Sequence, residues 1–232
     1  FLKYFQEYSG DDNPFEQARY FSNLLVTSLK NKSPWNLFTH TYKFKPDTDY
    51  THVYNNSMLN TPHGENLFNV FAQCDEIKQD INTYLNRFGF DLVYNTVKSE
   101  FKIQKKVNGI VYETPFSLLA DTLQRIVFYS SAIESNSGKV LLFEEPEVNS
   151  FPPFIQDLAT RIIESKTNQF FITTHSPYLL NRIIESGLDD VVVNIVDFQN
   201  FQTIVRQLTT DELEELLSYD SDLFLNIDRY IK

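Results

Sequence analysis

Two short apolar runs, Lys139 to Phe143 (KVLLF) and Asn168 to Thr173 (NQFFIT), flank a segment that opens on Pro152-Pro153 and reads as a helix over Phe151 to Ser165. Strand, helix, strand at this spacing is a βαβ crossover, which needs two parallel strands lying close together in one sheet. Both runs are apolar without alternation, so both are predicted to be buried on both faces. The pattern continues with helices over Ser117 to Ile133 and Pro177 to Ser186, and strands over Asp190 to Val196 and Phe201 to Arg206. An amphipathic helix starts at Thr210, with Asp211 and Glu212 suited to its first turn, and runs to Leu217. The predicted class is α/β, a mostly parallel sheet flanked by helices.

Upstream the texture differs. Glu65 to Phe88 is predicted as one helix, with Leu67, Phe68, Phe71, Ile77, Ile81 and Leu85 near helical spacing and Gly89 just past its end. Phe90 to Val97 and Glu100 to Val107 read as strands, and Asn108-Gly109 as a hairpin turn into Ile110 to Tyr112. Phe15 to Lys30 reads as a helix and Lys43 to Tyr54 as strand and loop. The expected division is a helical and irregular region over 1–88, an insertion or part of an N-terminal lobe, followed by a catalytic-type lobe over 89–232.

Composition excludes several classes. A single cysteine, Cys74, rules out an intrachain disulfide framework or a cysteine metal site and fits a reducing, cytoplasmic setting. No stretch approaches the roughly 18–20 apolar residues of a membrane helix, and no signal-peptide pattern opens the chain. A net charge of −11 disfavours non-specific nucleic-acid binding. The one basic cluster, Lys102, Lys105 and Lys106, reads as a solvated hairpin face.

Two strand ends carry chemistry, because ligands of open parallel sheets sit beyond the carboxyl ends of the strands. The first run ends in Glu144-Glu145-Pro146. One of two consecutive carboxylates can hold a metal while the other polarises an attacking water. A solvated acid pair would look the same in isolation. The second run ends in Thr173-Thr174-His175, and an imidazole there can hydrogen-bond a phosphate or the water, although a lone histidine is often structural. One crossover separates Glu145 from His175, so adjacent strands would bring both to one edge.

In that combination, FEEPEVNSFP resembles the extended Walker B of ABC-like ATPases related to the structural-maintenance-of-chromosomes and overcoming-lysogenization-defect families, and THSPYLL resembles their switch-histidine loop. The resemblance implies a P-loop NTPase-like fold, ATP and Mg2+ as cofactors, Glu144 at the magnesium position, Glu145 as general base and His175 as the switch residue. It implies that Leu118 to Arg125 (LLADTLQR) stands where the family contacts a partner's nucleotide, with Leu119, Asp121, Gln124 and Arg125 fitting. Ala120 replaces the usual serine, whose hydroxyl would donate to phosphate, and Thr122 replaces a glycine that permits close approach. It also implies that Glu147 to Ser150 lies where the family's inter-subunit loop runs, with Asn149 the residue to serve there.

No G-x-x-x-x-G-K-[ST] occurs. Gly138-Lys139 is followed by Val140, and Ile133 occupies the first-glycine position. The reading expects the phosphate-gripping lobe to lie outside these residues, with a natural pseudo-ATPase as the rival account. Asp189, Asp190 and Asp197 form no convincing nuclease pattern, so Val191 to Arg206 are expected to be the closing strands of the ATPase sheet. The implied protein is an AAA-like or ABC-like ATPase subunit acting as a homodimer. It would gate an effector such as a nuclease in a bacterial defence or DNA-maintenance system, touching DNA only indirectly and no membrane. The alternative is an inactive interaction module on a relict ATPase fold. A transporter motor fits less well, because transport ATPases carry an intact signature and an aspartate before the catalytic glutamate.

Overall fold

The computed structural model describes residues 39–46, 48–50, 57–187, 190–218, 223–224 and 226–230. The helix expected over Phe15 to Lys30 lies outside them.

The centre is a three-stranded parallel sheet in the order β1-β5-β6, formed by β1 (Thr39–Tyr42), β5 (Val140–Glu144) and β6 (Gln169–Thr173). The crossover predicted from the sequence is present: α4 (Pro152–Glu164) joins β5 to β6, and Glu144 lies in register with Thr173. Pro152 and Pro153 open α4, where the missing N–H and fixed φ of proline cost nothing. β1 starts and ends ahead of the strand expected at Lys43 to Tyr54. Residues 43–45 and 48–50 are irregular, and 51–56 lie outside the described residues.

Helix α3 (Asp121–Glu134) covers one face of this sheet. Every residue from Leu123 to Ile133 is buried, the polar Gln124, Arg125, Ser130 and Ser131 with the apolar ones. Its Phe128 and Tyr129 rings meet Tyr42 at 6.2 Å and Phe143 at 5.0 Å, edge-on or tilted as aromatic quadrupoles prefer. Burial pushes the Tyr129 phenol up to about 12, and its hydroxyl accepts the Phe44 N–H at 3.3 Å. The opposite face differs from the expectation of burial on both sides. Thr39, Thr41, Val140 and Leu142 are only half-buried there, and Phe171 is 56% exposed. Among the described residues no helix layer lies over that side.

The helix expected over Glu65 to Phe88 is two helices, α1 (Leu67–Gln73) and α2 (Asp75–Asn86). Cys74 between them leaves helical geometry at φ −97°, ψ 88°. The predicted apolar positions are nevertheless all buried, so the break turns α2 without sacrificing its core face. Strands β2 (Asp91–Asn95), β3 (Glu100–Val107) and β4 (Ile110–Pro115) form an antiparallel sheet. Asn108 and Gly109 make its turn with φ of 50° and 83°, the left-handed pair that a two-residue hairpin requires.

The segment expected to be helical from Ser117 is a 3-10 turn over Phe116–Leu118, then extended Leu119 and Ala120, before α3 begins. Helix α5 (Pro177–Glu185) is capped by Ser176, whose hydroxyl accepts the Leu179 N–H at 3.3 Å. The strands expected to close the parallel sheet do not join it: β7 (Asn194–Gln199) and β8 (Gln202–Gln207) form a separate antiparallel hairpin. Ile195 anchors the hairpin in a second apolar cluster with Leu180, Ile184, Leu208 and Leu213, to which α6 (Thr210–Ser218) and α7 (Ile227–Tyr230) contribute Leu216 and Tyr230. Among the described residues, no helix is long and apolar enough to cross a membrane.

At the amino-terminal end of the sheet, the Asn136 amide donates to the Tyr42 hydroxyl and the Ala132 carbonyl, and its oxygen accepts from His40 Nδ1 at 2.7 Å. Burial holds the His40 imidazole below its ordinary 6.5, aided by nearby Lys139 and opposed by the Asn136 bond. The native state therefore binds fewer protons than the unfolded chain once pH falls below about 6.5, so stability falls on acidification through that range. Urea unfolding from pH 8 to pH 5 is expected to show this slope and His40→Gln to flatten it. An unchanged slope would mean the imidazole carries no such linkage.

Candidate active site at the carboxyl edge of the sheet

The parallel pairing carries β1, β5 and β6 to one edge, and the next residue of each strand stands there. Tyr42 is in register with Phe143, so Lys43 lies beside Glu144. Its Nζ is 2.7 Å from Glu144 Oε2, and both side chains are about half exposed. Nothing in the sequence signals this pair, because 101 positions separate its members.

Glu145 follows with φ +42°, a left-handed conformation that costs a non-glycine residue of order 1 kcal/mol. Its backbone N–H donates to the Thr173 carbonyl at 2.9 Å and Thr173 Oγ1 at 3.3 Å, which ties the exit of β5 to the exit of β6. The kink turns the side chain toward His175, whose Nε2 is 3.2 Å from Glu145 Oε1. The His175 ring is 80% exposed and Glu145 42% exposed. A solvent-open acid–imidazole pair of this kind can hold and orient a water.

Glu147, expected only as the start of the inter-subunit loop, also reaches the sheet edge. It is only 8% exposed. Its Oε1 accepts from Thr174 Oγ1 at 2.7 Å and from the His175 backbone N–H at 2.8 Å. Its available signal was its place as the third acid of EEPE.

The LLADTLQR segment stands at the start of α3. Leu119 is buried, and the buried Gln124 amide donates to the Leu119 and Ser117 carbonyls at 2.9 and 3.2 Å. Arg125 pairs with Asp121 at 2.9 Å and stacks over the Phe44 ring at 4.7 Å. Ala120 is exposed at the N-cap position and supplies no side-chain cap. Asn149, with φ +57°, donates from Nδ2 to Asp121 Oδ2 at 3.2 Å, and Thr122 Oγ1 donates to the Asn149 carbonyl at 2.8 Å. Glu144, Glu145 and His175 thus share the sheet edge. Asp121, Arg125 and Asn149 form a neighbouring group, and Leu119 and Gln124 are spent on the turn that starts α3.

A magnesium ion bound alongside nucleotide takes one or two carboxylates, with phosphate and water completing six ligands. Glu144 fits that limited donor set. Among the described residues no group of three histidine, cysteine or acidic side chains could hold a metal by itself.

The family described as "AAA domain, putative AbiEii toxin, Type IV TA system" matches residues 98–181, from the turn before β3 into α5. No curated protein sequence matches. Similar solved structures include an SMC ATPase studied for ATP-driven dimerization and DNA-stimulated activation. It is 16% identical with a TM-score of 0.42, over 65% of this chain and 95% of that one. An Smc head bound to the C-winged helix domain of ScpA is 13% identical with a TM-score of 0.44, over 72% and 55%. An Smc head with coiled coil and joint from Pyrococcus yayanosii is 16% identical with a TM-score of 0.41, over 66% and 30%. The chain therefore spans about half of the second and under a third of the third.

Proposed function

We propose that this chain supplies the magnesium- and water-handling lobe of an ABC-like ATPase. The observation that carries the reading is the 3.2 Å approach of His175 to Glu145 at the end of the strand that also presents Glu144. Phosphoryl transfer to water asks a protein mainly for positioning and for charge stabilisation. Glu145 would accept a hydrogen bond from the attacking water and draw off its proton. His175, 3.2 Å away, would hold the water or a phosphate oxygen in line. Glu144 would hold magnesium, which when bound neutralises the developing phosphate charge. Lys43 already sits on Glu144 Oε2, so it would give way to the metal or turn its ammonium to the phosphate.

The match to an AAA-domain family over residues 98–181 agrees with nucleotide use. The phosphate-gripping backbone would come from outside these 232 residues, since they hold no Gly-x-x-x-x-Gly-Lys motif. A homodimer would place Asp121 and Asn149 at the neighbouring subunit's nucleotide, and a separate effector, such as a defence nuclease, would read the cycle.

A second reading, an interaction module without catalysis, is favoured by the start of α3. There Gln124 is consumed internally and Thr122 is hydrogen-bonded to the Asn149 carbonyl, so neither is free for a partner's phosphate.

Magnesium–ATP titration separates the two. The 232-residue chain alone should bind weakly or not at all. The longer polypeptide that includes a P-loop should bind at micromolar levels and hydrolyse. A complete protein that carries no P-loop and neither binds nor turns over ATP would leave the interaction module as the sound reading.

A further inference from the structure

We infer that Glu147 is a positioning residue for His175: its buried carboxylate pins the backbone that carries the exposed imidazole. This rests on the reading of His175 as a nucleotide-handling group. The His175 ring is 80% exposed. Among the described residues, the ring meets the Glu145 carboxylate and lies near the Phe224 ring, at 6.2 Å between centroids. Packing that sparse does not fix a side chain, so the ring is placed chiefly by its backbone. That backbone is held from below. Glu147 Oε1 accepts the His175 N–H and the Thr174 hydroxyl, and Thr174 Oγ1 in turn accepts the Ser176 N–H at 3.0 Å. One oxygen thus organises the three residues between β6 and α5.

The other oxygen makes the arrangement unusual. Glu147 Oε2 is buried and has no hydrogen-bond partner among the described residues. Glu147 lines a cavity of about 10 Å³ together with Arg125, Tyr129, Ser150 and Phe154, about the room one water needs. A neutral acceptor of the same length, glutamine, would tie the two loops without bringing a second buried oxygen. Glu147 also lies two residues beyond Glu145 and two before Asn149, which is bonded to the first turn of α3. The loop that presents Glu145 is therefore the loop that fixes His175, and both are linked to Asp121. Movement at the start of α3 would shift the acid and the imidazole together rather than part them.

The test uses NMR on the 232-residue chain, without nucleotide. Glu147→Ala is expected to speed amide exchange at His175 at least tenfold. It is also expected to abolish the response of the His175 ring shifts to Glu145→Gln, a coupling that a mere loss of stability would not erase selectively. Glu147→Gln, whose amide oxygen can accept both bonds, should restore both. Should Glu147→Ala not fold, Glu147→Asp carries the test, because the shorter arm cannot reach both donors and must speed exchange. His175 exchange and ring coupling unchanged in Glu147→Ala, or in the aspartate variant, would overturn the inference whatever the turnover. Altered exchange in a complete protein that never hydrolyses ATP would leave the positioning role standing and remove the ATPase reading.

Discussion

Glu145→Gln in a nucleotide-competent form of this protein is expected to lower kcat for ATP hydrolysis by about 10²-fold or more, while KM for magnesium–ATP stays near the parental value. The amide keeps the size of the carboxylate but cannot take a proton from water. Side-chain exposure of 42% and backbone bonds to Thr173 that do not involve the carboxylate mean the fold should tolerate the change. Nucleotide should therefore accumulate bound and uncleaved. His175→Ala should cost a similar order. Because the two groups lie 3.2 Å apart, the double variant should be little worse than the more damaging single one, as for residues that act as a unit. Phosphate-release kinetics with nucleotide-retention measurements give both numbers. Glu145→Gln turning over at the parental rate would sink the assignment of Glu145 as base.

The strand-end geometry was readable because it depends on local order. KVLLFEEP, a proline-opened helix and QFFITTHSP dictate a parallel crossover, and the crossover brings Glu145 and His175 to one edge of the sheet. Asn108-Gly109 was equally legible, since the two-residue turn needs those residue types at those positions. The misreadings share a different cause. Cys74 breaks a helix with no glycine or proline to announce it, because tertiary packing of α2, through Ile77, Ile81 and Leu85, outweighs the local preference to continue. β1 reads Thr-His-Thr-Tyr and offers little apolar signal, so its strand was sought downstream.

The β7–β8 hairpin turns at Asn200-Phe201, with φ of 51° and 62°. A bulky residue in left-handed geometry is not a turn signal, and without one the sequence pattern gives two strands but not their pairing as a separate hairpin. Lys43 shows the firmest limit: a residue placed by register across 101 positions has no local signature at all. Half-burial of Val140 and Leu142 was hidden for a related reason. Apolar composition tells how much surface a strand can bury, while the number of helix layers decides how much it does.

Phe143→Ala is expected to remove about 3–5 kcal/mol of stability, a fall of roughly 6–20 °C in Tm for a chain of this size. Phe143 is 2% exposed and meets the rings of Tyr42, Tyr129 and Phe170 at 6.2, 5.0 and 5.8 Å. Those rings come from β1, α3 and β6, three elements that cannot all collapse into the void without breaking the parallel register. The same register sets Lys43 beside Glu144 and Glu144 against Thr173, so nucleotide turnover in the nucleotide-competent form should fall beyond what the unfolded fraction explains. Phe171 provides the control. It sits one residue along from Phe170 in β6, is 56% exposed on the other face, and its change to alanine should stay within about 0.5 kcal/mol of neutral. Denaturant unfolding of both variants decides the matter. Equal losses at the two positions would mean that the open face is buried in solution. A loss under about 1 kcal/mol at Phe143, far below the usual cost of truncating a core phenylalanine, would mean that the carboxyl edge of the sheet does not rest on this aromatic cluster.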